Sequence, residues 1–316
     1  AASLLERAAA VAADLDDPQT TGFVTLIRGT NHFLLGEWAS AAAGCLEAER
    51  IFREQCTGVD WELTNATVYA LSSIGYMGDL ATLRSEIPRR IREAEERGNR
   101  YMIGWVRCGI ANLVLLAAGR VDELEAHLEE ATAALVMPPG LPQFQVQHYF
   151  ALWSRCQIAM FRGDGDGAAR LVHETWPALR RSLLLRVQYV RINATHLRAR
   201  CELAAARSSG DPRRALGVPG AIAQLRREHT PLADAMAAAL EGGLAAIRGD
   251  AATGASRLEE ATAGFRRAGM ALFARAARYQ RARVASERDE LRAAADELRA
   301  AGVDEYERIA SVLVPV

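Results

Sequence analysis

A glycine-centred turn recurs along the chain and constrains its fold more than any other sequence feature. Four of the six turns continue directly into aspartate. Glycine favours the left-handed backbone that ends a helix, and aspartate caps the start of the next helix, so helices joined this closely run antiparallel. Spacings of 42, 41, 44, 47 and 39 residues separate the six glycines. They are Gly36, Gly78, Gly119, Gly163, Gly210 and Gly249.

The segments between these turns have a helical period. From Val121 to Leu135, apolar side chains recur every three or four residues, while glutamates fall outside that stripe. Since one helix pair cannot bury its own apolar stripe, successive pairs must stack. The sequence therefore predicts an all-α protein, a tetratricopeptide-like superhelix of stacked antiparallel helix hairpins with a repeat of about 42 residues. A compact orthogonal bundle is the alternative, which the regular spacing favours less.

The repeat runs through the whole sequence, so we expect residues 1–316 to form a single helical-repeat domain. The chain opens directly on a helical pattern, and we therefore expect it to be a fragment of a larger protein. Two loops rich in proline and glycine are predicted, at 138–142 and 208–220. Pro88 and Pro177 interrupt helical runs, so each is expected to kink its helix or to start a new one.

Residue types exclude several classes of enzyme. The chain has no lysine, which removes Schiff-base chemistry, the Walker A lysine and the kinase lysine that contacts ATP phosphates. The patterns HExxH, GxSxG, GxGxxG and CxxC do not occur, and the six histidines have no metal-ligand spacing. We therefore predict no enzyme: no catalytic residue, no metal and no cofactor. The alternative is an active site that only the folded chain assembles.

Five scattered cysteines indicate reduced, buried thiols, which are typical of a cytoplasmic protein. They are Cys45, Cys56, Cys108, Cys156 and Cys201. No apolar run reaches the ~18 residues that a membrane span requires, so no membrane association is predicted.

Arginine is concentrated between residues 180 and 227, where eleven arginines and two acids give a net charge of +9. Residues 1–60 carry nine acids against four arginines, a net charge of −5. One interpretation is that these charges neutralise one another in packing. The other is a surface for an acidic or phosphorylated partner, with Arg181, Arg186 and Arg191 as candidate contacts. Nucleic acid fits less well, since aromatic side chains are sparse in this stretch.

A second set of candidates combines aromatic and polar side chains. It consists of Trp61, Glu62, Tyr101, His148 and Tyr149. They recur at comparable places in successive repeats, and comparable places in a superhelix lie on one face. If that face is concave, it forms a groove for a peptide. Packing between repeats is the simpler explanation for any single member.

Several short segments occur in a recognisable order. They are Cys56-Thr57-Gly58-Val59-Asp60-Trp61-Glu62, Arg92 to Asn99, Gln147-His148-Tyr149, Trp176 to Gln188, and Gly302 to Pro315. Together they resemble the C-terminal helical region of large bacterial serine/threonine protein kinases, best known from myxobacteria. The resemblance covers roughly residues 30–316 and implies the sensor or scaffold end of such a kinase, with the last segment as its closing helix. The kinase's own motifs are absent, so no catalytic residue carries over.

The leading hypothesis is a cytoplasmic interaction or sensor region of a bacterial signalling protein. A protein or peptide partner would dock in the groove and shift the states of an attached kinase or ATPase domain. The main alternative is a small-molecule sensor, which a pocket joining Glu62, His148 and Arg186 would favour. Nucleic-acid binding would require the arginines of 180–227 to be continuous on one exposed face.

Overall fold

The computed structural model describes residues 2–133 and 144–316, and every regular element within those ranges is helical. The prediction of an all-α helical repeat is thereby confirmed. The chain divides into two compact units, Ala1–Val106 and Arg107–Val316, and its extent as a single domain stays a prediction. The predicted loop at 138–142 lies outside the described residues. None of the described helices is both long and apolar enough to cross a membrane.

Helices joined by tight turns build both units. The first unit contains α1 (Ala2–Leu15), α2 (Pro18–Leu35), α3 (Trp38–Gln55), α4 (Asp60–Met77), α5 (Leu80–Glu96) and α6 (Arg100–Val106). The second contains α7 (Leu113–Ala117), α8 (Val121–Ala133), α9 (Val146–Phe161), α10 (Gly165–Arg181), α11 (Gln188–Ser209), α12 (Val218–Arg226), α13 (Pro231–Ile247), α14 (Ala251–Arg267), α15 (Ala271–Val284), α16 (Arg288–Ala300) and α17 (Tyr306–Leu313). Short 3-10 helices span Gly109–Asn112, Leu183–Arg186 and Pro212–Ala215.

The glycine turns have the geometry that their spacing predicts. All six glycines have a positive φ, between 66° and 83°, which is the left-handed conformation that ends a helix. After three of them, an aspartate side chain accepts a hydrogen bond of 2.7 to 3.0 Å from the backbone N–H three residues further on. These aspartates are Asp79, Asp164 and Asp250. The helices on either side of each such turn pack against each other, as an antiparallel hairpin requires.

The sequence pattern predicts one helix over 99–118, and in the structure this helix is broken. Cys108 is extended, and Gly109 after it has a φ of 83°. The backbone N–H of Gly109 and the amide of Asn112 both donate to Ser154 Oγ, at 3.0 and 2.7 Å. A hydroxyl on another helix thus satisfies the polar groups that the break releases.

The sequence pattern also predicts one helix over 271–300, and the structure breaks it at Ser286, which has a φ of 58°. The prediction failed there because the turn residue is not glycine. Pro88 and Pro177 lie inside α5 and α10, so neither starts a new helix, and a kink at either position stays a prediction.

The core of the first unit lies between α2, α3 and α4, where Leu26, Phe52 and Leu63 are buried together. A Cβ atom added to Gly29 on α2 would lie 2.6 Å from the sulfur of Cys45 on α3. Glycine is therefore required for these two helices to approach so closely.

A buried ion-pair network connects α3 to α5. Glu49 on α3 contacts Arg90 on α5, and it also accepts from Arg53 at 2.7 Å. Arg53 in turn contacts Glu93 on α5. Glu49 and Arg90 are both buried, and burial lowers the pKa of the Arg90 guanidinium because it disfavours the charged form. Each charge therefore depends on its partner.

The second unit has an inner and an outer layer of helices. The first helix of each hairpin is inner: α11 buries 14 of its 22 residues and α13 buries 11 of 17. The second helices are amphipathic, since α10 buries five of 17 residues and α14 six of 17. The inner helices α9, α11 and α13 pack on one another in chain order, as in a stack of hairpins.

We expect Glu49→Ala to lower the free energy of unfolding by about 3 kcal/mol, because it leaves Arg90 buried without its carboxylate. Glu47→Ala, on the same helix, is the matched control. The Glu47 carboxylate pairs with Arg50 at the surface, so its loss should change stability little. Urea unfolding followed by circular dichroism measures both variants. Equal losses would contradict a structural role for the buried network.

Candidate functional site

The inner layer of the second unit holds α17. Besides its chain neighbour α16, this helix packs on α7, α9, α11 and α15, which all belong to the inner layer. A helix of eight residues is about 12 Å long. Four inner helices therefore converge on a short element. We refer to residues 304–316 as the docked segment.

Two buried polar side chains bind the backbone where α17 ends. Arg200 Nη1 on α11 donates to the Val312 oxygen at 2.9 Å, and Gln280 Nε2 on α15 donates to the Val314 oxygen at 2.9 Å. The last carbonyl groups of a helix have no partner within the helix, and Val312 and Val314 are buried away from water. Arg200 and Gln280 therefore replace the water that an exposed helix end would bind.

A glycine makes room for the residues after α17. A Cβ atom added to Gly243 on α13 would lie 2.3 Å from the Pro315 oxygen. A larger residue at this position would collide with the backbone of the docked segment. One residue later, Arg283 on α15 donates to the Val316 oxygen at 3.3 Å.

The beginning of the docked segment is held by α7 and by an aromatic contact. The N–H groups of Asp304 and Glu305 donate to the Ala117 oxygen, at 2.9 and 3.2 Å. This oxygen belongs to the last residue of α7, so it has no partner within that helix. The Tyr306 ring then lies edge-on against Tyr279, with centroids 5.6 Å apart. Both ends of the docked segment are thus anchored to the inner layer.

The inner layer contains further buried polar side chains. Gln157 lies one turn before Phe161 on α9, and His196 one turn before Arg200 on α11. Within the described part of the chain, neither amide atom of Gln157 nor Nε2 of His196 has a hydrogen-bond partner. Burial, with the positive charge of Arg200, lowers the pKa of His196 well below 6.5.

His148 and Tyr149, both predicted to contact a partner, lie in the first turn of α9. His148 Nδ1 accepts a hydrogen bond from the Gln145 N–H at 3.1 Å, so the ring caps the helix. It also lines a cavity of about 470 Å³ between α8, α9 and α10. Tyr149 is fully buried, and burial raises the pKa of its hydroxyl well above 10. Its ring is therefore not accessible to a partner in this conformation.

Trp61, Glu62 and Tyr101 lie in the first unit. Trp61 and Tyr101 are 56% and 43% exposed, so both rings are accessible, as the predicted binding face requires. Glu62 lies in the first turn of α4, where the helix dipole stabilises a carboxylate. Tyr101 also packs edge-on against Trp105, with centroids 6.2 Å apart.

Five of the eleven arginines in the stretch 180–227 form ion pairs with acids of the second unit, whereas neutralisation by the acids of residues 1–60 stays a prediction. The ion pairs include Arg191–Glu228, Arg198–Glu202, Arg214–Asp166 and Arg226–Glu241. Arg191, a predicted partner contact, holds Glu228 through two hydrogen bonds of 2.6 and 2.7 Å. Arg181 and Arg186 are exposed, so they are the two predicted contacts in this stretch that remain accessible.

Part of the same stretch lines a cavity of about 680 Å³ beside α10 and α11. The guanidinium of Arg198 lies 5.0 Å from the ring centre of Trp176, a cation–π contact. Arg170 and Arg180 add positive charge, and Leu216, 76% exposed, adds apolar surface. The second interpretation, a surface for an acidic partner, is therefore compatible with this part of the stretch.

Sequence reasoning missed Arg200, Gln280 and the docking of 304–316. Arg200 is one of eleven arginines in its stretch, and nothing local marks it as buried. Gln280 lies among arginines on α15, so nothing local marks it as buried either. The sequence pattern predicts a closing helix over 303–313, but its place on the inner layer depends on contacts distant in sequence. The apolar residues that close the chain were the available signal.

Comparison with models of known protein families gives no match, and comparison with curated proteins gives none either. The resemblance to kinase C-terminal regions therefore stays a prediction. What this chain can bind has to be inferred from the inner layer and its docked segment.

We expect the second unit to lose stability as the pH falls below 6.5. Unfolded His196 binds a proton near its usual pKa of 6.5, whereas folded His196, with its lowered pKa, stays neutral. The unfolded state then binds more protons, so the free energy of unfolding decreases by up to about 1.4 kcal/mol per pH unit. His196→Gln should flatten this dependence in urea unfolding between about pH 7 and pH 5.

The exposed His173 supplies the control, because His173→Gln changes the same residue type at the surface. The free energy of unfolding of this variant should depend on pH in the same way as that of the unmodified chain. A His196→Gln chain with an unchanged dependence would show that this histidine is not buried as a neutral group.

Proposed function

We propose that this chain is a non-catalytic interaction and sensor region of a bacterial signalling protein, and that the inner layer of the second unit binds a peptide segment of a partner or of an attached domain. The docked segment is the observation that carries the proposal. The inner layer already binds residues 304–316 through their side chains and their backbone.

The contacts define the kind of peptide that fits. Ile309 and Leu313, one helical turn apart, are fully buried against the inner layer. Arg200 and Gln280 then donate hydrogen bonds to the carbonyl oxygens at the helix end. A short amphipathic helix followed by an extended apolar tail meets both conditions, which is the helix-in-groove mode of recognition.

Exchange of the docked segment would give this binding a regulatory output. The segment belongs to the same chain, so a partner has to compete with a high effective concentration. Displacement would release residues 304–316 and change the population of states of an attached kinase or ATPase domain. The basic cavity beside α10 and α11 suits an acidic or phosphorylated extension of the partner. The cysteines, all free and four of them buried, are compatible with the cytoplasm.

A small-molecule sensor is the second candidate. The cavity between α8, α9 and α10, at about 470 Å³, has the size of a ligand site, and His148, Arg155 and Glu129 line it. Of the three residues expected to converge in a ligand pocket, His148 lines this cavity, whereas Glu62 and Arg186 are not among its lining residues.

The test uses a labelled peptide with the sequence of residues 303–316 and the full chain carrying Ile309→Glu. The substitution places a charge at a fully buried position, so the chain's own segment should leave the inner layer. Fluorescence anisotropy should then show saturable peptide binding, and the unmodified chain should bind far less. Adding Arg200→Met should weaken binding about tenfold or more, because a hydrogen bond to a charged group is lost.

The matched control is the same peptide carrying Ile309→Glu, which should not bind. Circular dichroism verifies that the Ile309→Glu chain retains its helices. A folded Ile309→Glu chain that binds neither peptide, or both equally, would refute the proposal.

A further inference from the structure

A third cavity of the second unit lies beside the docked segment and has a volume of about 430 Å³. Four separate elements form its wall: the turn between α9 and α10, the end of α11, the end of α15, and α17. Its charged and polar lining consists of Arg162, Arg207, Arg283, Glu307, Arg308 and Ser311. We refer to it as the arginine cavity.

Two of its arginines have carboxylate neighbours. Arg162 donates to Asp122 and to Glu125, at 2.7 and 2.8 Å. Arg308 lies 3.6 Å from the Glu305 carboxylate, with its guanidinium 5.3 Å from the ring centre of Phe161. These two arginines are therefore largely compensated by the protein itself.

Arg207 and Arg283 differ, since neither forms an ion pair with an Asp or Glu side chain in the described ranges. Arg207 Nη1 donates to Ser311 Oγ at 2.9 Å, and Arg283 Nη2 donates to the Val316 oxygen at 3.3 Å. Burial first, and then the positive charge of Arg207, lower the pKa of Arg283, while Glu307 partly offsets this. Two neighbouring positive charges are thus left with incomplete compensation.

We propose that the arginine cavity binds a phosphate group between Arg207 and Arg283. Guanidinium groups form paired hydrogen bonds with phosphate oxygens. Two such groups from different helices, with the Ser311 hydroxyl, offer more donors than the two oxygens of a carboxylate can accept. Phosphate has enough oxygens and a double negative charge that neutralises both arginines. The ligand is either free phosphate or a phosphate group on a small molecule.

The site also connects the docked segment to the inner layer. Arg207 and Arg283 belong to α11 and α15, whereas Ser311 belongs to α17. A phosphate group held by all three stabilises the docked state. Binding of phosphate itself does not depend on the proposed function, because it is measured on the unmodified chain without any peptide.

Isothermal titration calorimetry of the full chain with sodium phosphate tests the site. Sodium chloride at matched ionic strength separates specific binding from screening. We expect saturable binding of phosphate to the unmodified chain, and at least a tenfold weaker affinity for Arg207→Gln and for Arg283→Gln. Arg207 is exposed, so its replacement removes a charge without opening the core.

Arg292→Gln is the matched control, because Arg292 is an exposed arginine on α16 outside the cavity. Its phosphate affinity should equal that of the unmodified chain. Repeating the titration with a sugar phosphate distinguishes the two sources: tighter binding than free phosphate identifies a phosphorylated small molecule. No saturable binding, or equal affinity for the unmodified chain and Arg207→Gln, would overturn the proposal.

Discussion

Each hairpin of this chain leaves apolar surface that its own two helices cannot cover, and the rest of the structure follows from covering it. The requirement is greatest at α13, where small residues such as Ala237, Ala238 and Gly243 let neighbours approach on every side. The helices α11, α12 and α14 cover three of these sides. The backbone at Pro315 covers Gly243. Stacking of the hairpins alone would therefore leave apolar surface of the inner layer uncovered, and the docked segment covers it.

Completing an inner layer with a helix end brings unpaired carbonyl groups into the core. Such groups cost about 1–3 kcal/mol each when left without a partner, and the C-terminal end of a helix also carries a partial negative charge. Arg200 solves both problems, because its guanidinium donates to the Val312 oxygen and places a positive charge at the negative end of α17. The same carbonyl compensates part of the cost of burying Arg200. The docked segment and the inner layer thus stabilise each other.

The sequence predicted what depends on local chemistry and missed what depends on long-range packing. Turns at glycine were found because a left-handed helix end favours that residue, whereas Ser286, which adopts the same conformation, has no such signature. The break at Gly109 depends on a hydroxyl 45 positions away. Of the predicted contacts, Arg191 and Tyr149 are engaged inside the fold. Composition cannot distinguish the paired Arg191 from the exposed Arg181, because only folding brings Glu228 next to Arg191.

The two proposed ligands act on the same equilibrium in opposite directions. A ligand shifts docking only through the difference in its affinity for the docked and undocked states. A helical partner needs the surface that α17 occupies, so it binds the undocked state. Phosphate gains Ser311 only when α17 is in place, so it binds the docked state more tightly, and a tenfold preference corresponds to about 1.4 kcal/mol. By linkage, phosphate then weakens the partner's binding by the same factor by which the partner weakens the binding of phosphate.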